Sequence, residues 1–191
     1  MLGFIGFFFG FFHTVTPAAY YQIDYKSFYQ LSEVNQKIDW TNPNVTLLEA
    51  AIFHYTNEQR ILNKRKIFTH ADDLNKAANY HSNSMVQYNF FSHTNNYDKK
   101  MKAFYQRMNF FGASFNGCGE NIAYSEFDDS YTYLDVAKDL VEMWMNSPLH
   151  RENLLNGSYL ELGCGVAIKK MTYWNRVYAT QDFGAKRNSK L

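Results

Sequence analysis

Gly117-Cys118-Gly119-Glu120-Asn121-Ile122-Ala123 sets a carboxylate and a carboxamide between two glycines and an apolar pair, near the middle of the chain. It reads as a loop entering a strand. Cys118 stands two residues before the acid, and its intramolecular partner, if it has one, is Cys164 in the second glycine-flanked stretch, Leu162-Gly163-Cys164-Gly165. Histidines lie on both sides at a distance, His93 after Phe90-Phe91-Ser92 and His150 in Ser147-Pro148-Leu149-His150-Arg151. The working expectation is that these pieces meet around one pocket and that the rest of the chain is the scaffold that gathers them.

Before that stretch the chain reads as helices. Thr46 and Glu49 have the spacing of a capping box, and Leu48, Ile52, Tyr55, Gln59 and Leu62 follow at helical intervals. A second helix is predicted from Ala71 to Val86, with His81 on its apolar face; a hydrogen-bonded core histidine is the plainer reading there than a ligand. A third is predicted from Asp98 to Phe110, stopping at Gly112. Beyond the central stretch, Asp128, Asp129 and Ser130 are caps for a fourth helix, and Ser147-Pro148 starts a short fifth. Leu160–Lys169 and Trp174–Phe183 read as two strands joined by a turn. Helices first and a hairpin last point to an α+β domain.

The 191 residues suit one domain, with 46% hydrophobic residues for its core; the formal charge of +1 supplies no field to gather nucleic acid. Residues 1–19 carry no formal charge, and the apolar run is shorter than the roughly 20 residues a spanning helix needs. It reads as a signal-peptide h-region, or as an anchor if it is retained, although no Lys or Arg precedes it. Residues 20–44 form an N-terminal extension, packed on the domain or serving as a linker; 45–184 form the domain body, and 185–191 a solvated basic tail. Two cysteines in an exported chain favour one disulfide, Cys118 to Cys164, worth roughly 4 kcal/mol in the chain-entropy model. Two buried free thiols are the alternative.

Two imidazoles and a carboxylate converging on a cavity could hold a divalent metal such as zinc, or act without metal as general acid and base. No nucleophile elbow, phosphate loop or His-Glu-x-x-His helix is present. On spacing alone, a hydrogen-bonded polar cluster clamping loops together is the plainest reading of His93, Glu120 and His150.

Asn57-Glu58-Gln59-Arg60, Phe91-Ser92-His93 and Gly119-Glu120-Asn121-Ile122-Ala123 resemble the CAP superfamily of cysteine-rich secretory, antigen 5 and pathogenesis-related 1 proteins. Trp144-x-x-Ser147-Pro148-x-His150-Arg151-x-Asn153-Leu154-Leu155, Leu162–Gly165 and Thr180-Gln181-Asp182-Phe183-Gly184 resemble its bacterial branch. The resemblance implies an α-β-α sandwich with a small three-stranded antiparallel sheet between helical layers. It also implies export, and a cavity with two His and two acids. His93 and Glu120 match the first histidine and the glutamate, and His150 the histidine of the bacterial pattern. Ser147 stands where the second glutamate is expected, so any metal held by His93 and His150 has a poorer ligand set.

Three functional expectations follow. The first is an exported, non-enzymatic module that binds a lipid, a sterol or a cell-surface component, extracellular or held at the envelope. The second is a metal-assisted hydrolase with His93 and His150 as ligands and Glu120 as base. The third is a purely structural clamp.

Overall fold

The computed structural model describes residues 17–188. The segment read as signal peptide or anchor therefore lies outside the described residues except for its last three positions, as do the last three residues of the tail. Among the described residues no helix is long and apolar enough to cross a membrane.

Helices α1 (Tyr25–Tyr29) and α2 (Val45–Leu62) come first, then strand β1 (Thr69–His70) and helices α3 (Asp72–Gln87) and α4 (Phe104–Phe110). Strand β2 (Cys118–Phe127), helices α5 (Tyr133–Asn146) and α6 (Pro148–Leu155), and strands β3 (Glu161–Lys170) and β4 (Asn175–Gly184) complete the chain. The sheet order is β1-β3-β4-β2. Its three long strands are antiparallel, as the resemblance implies, but the sheet has four strands. The two-residue β1 pairs parallel to β3, Thr69 opposite Glu161 and His70 opposite Leu162. So short a run has no period to read.

Helix α3 covers one face of the sheet, and its closeness comes from two glycines. A Cβ on Gly163 would stand 2.1 Å from the Asn75 nitrogen, and one on Gly165 2.1 Å from that of Asn79. The match is geometric: four residues of helix advance about 6 Å, nearly the rise of two strand residues. On the other face α2 and α5 enclose the main core, which includes Leu48, Ile52, Leu140, Trp144 and Leu162. The 20–44 extension is packed on this core rather than a linker, since Phe28, Val34 and Ile38 are buried in it.

Several helix starts differ from expectation. Asn44 caps α2 by accepting from the Leu47 amide, and Glu49 is buried elsewhere. Thr132 and Asp135 form the capping box of α5. Asp98 holds a turn before α4 through the Lys100 and Met101 amides. Arg187, expected in a solvated tail, pairs with Asp73 and Glu161.

The expected disulfide is corrected by the sheet register. Cys118 lies opposite Gly184, which lies opposite Glu161. Cys164 is therefore two strands across and three residues along from Cys118, ~14 Å by ordinary sheet spacings, beyond the ~7 Å a bridge can span. The odd offset also sends the two side chains to opposite faces. Both thiols are free, Cys164 fully buried and Cys118 partly so.

Candidate functional site

Register places Glu120 opposite Asp182, and Asp182 opposite Gly163, so both acids face α3. Glu120 is buried, and both its oxygens are taken. His93 Nδ1 donates to Oε1 at 2.8 Å, and Arg107 Nη2 donates to Oε2 at 2.5 Å. Burial raises the Glu120 carboxyl, but the His93 hydrogen bond and the Arg107 guanidinium outweigh it and hold the group below the ordinary carboxylate range.

Arg107 organises the loop that carries His93. Fully buried on α4, it donates to the carbonyls of His93 (3.2 Å), Lys102 (3.0 Å) and Met101 (3.3 Å) as well as to Glu120. His81 works on the same loop from α3, donating Nε2–H to the Ser92 carbonyl at 2.9 Å. Burial pushes its imidazole down to about 4, so it is a neutral core histidine, as expected. Asp182 is fully buried, and among the described residues neither oxygen meets an N–H or hydroxyl donor. Burial, and then Glu120 beside it, push its carboxyl well above the usual range. Its own proton is what lets two carboxyls stand side by side.

His150 does not join this cluster. The neighbouring strand position, Asn121, faces the other side of the sheet, and its amide donates to the His150 carbonyl at 3.1 Å. Burial, and then His93, lower the His150 imidazole, so the two histidines sense each other without sharing a ligand. Among the described residues no group of three or more His, Cys, Asp or Glu side chains can hold a metal ion. With Glu120 committed to Arg107 and His93, and His150 apart, the expected set fits neither a metal nor a free carboxylate base. No chemical step is derived through either.

His150 and Ser147 instead line an open groove of about 440 Å³ along the free edge of β2, with Ile122, Tyr124, Met143 and Trp144. The walls are mostly apolar. Trp144 is buried, and its indole N–H has no partner among the described residues. Sequence reasoning missed Arg107, Asp182 and this indole. Asp182 lies inside the Thr180–Gly184 motif and is the one acid of β4. Arg107 gave no signal, because a single arginine on a short helix normally faces water.

The fold agrees with the comparisons. The chain belongs to the CAP family: the model of the cysteine-rich secretory protein family matches residues 53–183. It is 37% identical over 103 residues to an uncharacterized membrane protein of Bacillus subtilis strain 168, YlbC; these residues are 54% of this chain and 24% of that protein. An extracellular SCP-domain protein of Bacillus anthracis superposes with a TM-score of 0.59 at 29% identity, over 73% of this chain and 40% of the other. An outer surface protein of Borrelia burgdorferi, at 20% identity and a TM-score of 0.57, shares the fold over 79% of this chain and 98% of its own. The match to the YlbC relative thus spans about a quarter of that protein's length.

Proposed function

We propose that this is an exported binding protein whose groove along β2 takes an apolar ligand of the lipid or sterol class. The observation that carries the reading is the groove itself, open, about 440 Å³ and walled by Ile122, Tyr124, Met143 and Trp144, with an unpartnered indole N–H at Trp144. That volume lies in the range of small-molecule sites, and mostly apolar walls suit a long apolar body. Export is supported by the extracellular and outer-surface proteins that share the fold. The His93–Glu120–Arg107 cluster serves this reading as the clamp that holds the loop bearing Phe91 against the groove.

The test is titration of a fluorescent sterol and a fluorescent fatty acid into the full chain. Saturable binding of one of them is expected. Met143→Asp, at an exposed wall position, should weaken it about tenfold or more by setting a charge in the groove. Absence of saturable binding, or affinity unchanged in Met143→Asp, would overturn the reading.

A further inference from the structure

The opposite edge of the sheet carries a second cavity. Strand β1 covers β3 only at Glu161 and Leu162. Past it the outward amides of β3 need partners, and the helices supply them. Asn75 Oδ1 accepts from the Cys164 amide at 3.1 Å, and Glu49 Oε1 from that of Val166 at 3.3 Å. Asn79 reaches the Val166 amide too, at 3.4 Å. This edge closure accounts for the polar residues but not for what surrounds them. A pocket of about 650 Å³ opens there, lined by Glu49, Asn75 and Asn79 together with Tyr21, His70 and Asp72. The Tyr21 hydroxyl and His70 Nε2 are both buried without a partner among the described residues, their rings stacked at 3.6 Å.

We propose that this pocket binds a small molecule bearing a primary ammonium group, held by Glu49, Tyr21 and His70. The three side chains offer three acceptor sites, a carboxylate, a phenolic oxygen and an imidazole nitrogen, and a primary ammonium offers three N–H donors. Among the described residues no lysine or arginine lines the pocket. Asp72 is already paired with Lys76 at 2.7 Å, whereas Glu49, 3% exposed, has no cation among the described residues. Its contacts are Asn75 Nδ2 at 3.2 Å, the Val166 amide at 3.3 Å and the Asn79 side chain, none of them a cation. Burial lowers the His70 imidazole, keeping it neutral and able to accept. A buried carboxylate without a countercharge is costly, and a bound ammonium removes that cost.

Calorimetric titration of the full chain at about pH 8, where Glu49 is ionised, compares ethanolamine, putrescine and glucosamine with ethylene glycol, 1,4-butanediol and N-acetylglucosamine. At least one amine should bind, and its neutral match about tenfold or more weaker, as expected for loss of a buried charge pair. Tyr21→Phe deletes only a hydroxyl that finds no partner among the described residues, so the fold survives while amine affinity falls about threefold to tenfold. Met143→Asp, in the groove along β2, leaves amine binding unchanged, which separates this site from the lipid reading. Water-filled behaviour, with no amine bound, would overturn the proposal. So would equal binding of a neutral match, or undiminished affinity in Tyr21→Phe.

Discussion

The two free edges of the sheet are closed in opposite ways. Along β2 the edge meets Met143, Trp144 and Phe91, and the space left is an apolar groove. Along β3 it meets Glu49, Asn75 and Asn79, whose side chains take the places of missing strand partners. An exposed edge must be paired, covered or satisfied by side chains. Covering with apolar groups leaves room for an apolar molecule. Satisfying it with acceptors concentrates unspent hydrogen-bond capacity, as at Tyr21 and His70. On the α3 face of β2 lies the His93–Glu120–Arg107 cluster, which holds the loop bearing Phe91 beside the groove.

The largest effect should separate that buried cluster from both edges. Arg107→Met strands Glu120 and frees three loop carbonyls; a loss of about 3–5 kcal/mol is expected in urea unfolding. A loss under about 1 kcal/mol would mean that the cluster does not hold the loop.

Glu49 comes next and carries the opposite sign to Glu120. Burial raises its carboxyl from 4.5 to about 7, against which the bonds from Asn75, Asn79 and the Val166 amide act. Between those values the folded protein holds a proton that the unfolded chain has lost, so stability falls as pH rises through that window, by roughly 3 kcal/mol if the full shift is expressed. Glu120, held low, contributes stability that is present at neutral pH and lost as pH falls below the ordinary carboxylate range. Unfolding at pH 5 and pH 8 should therefore show Glu49→Gln gaining on the parent toward pH 8. A parallel pair of profiles would remove the buried, unpaired carboxyl from the β3 edge.

A third test probes how tightly α3 seals that edge. Gly165→Ala places a Cβ against the backbone at Asn79, with no flexible side chain to yield. A cost of about 1–3 kcal/mol is expected, as for overpacking elsewhere, read as a lower melting temperature. The smallest expected effect is none: reductant should leave the melting temperature within about 1 °C, whereas a native disulfide worth several kcal/mol would show a large drop.

Much of the frame was legible because it rests on local signals. The helical stripes, the Ser147-Pro148 start of α6 and the paired strands beyond Leu160 follow from period and turn chemistry. Misreadings came where a residue's partner lay far along the chain. Thr46 and Glu49 have capping-box spacing, yet Glu49 is drawn to the Val166 amide 117 residues away. The motifs group His150 with His93 and Glu120, but both Glu120 oxygens go to His93 and Arg107, while His150 lines the groove along β2. Arg107 was invisible because nothing in Phe104–Phe110 signals that the helix is pressed over a buried acid.

By itself the sequence determined the class of fold, the family and the strand that carries Glu120. Those rest on short-range periodicity and on motifs several residues long. Only the tertiary structure decided that the two cysteines stand apart, that Glu120 answers to Arg107 rather than to an open cavity, and that each sheet edge holds its own pocket. Those facts depend on strand register, where a shift of one residue reverses every side chain and nothing local records the choice.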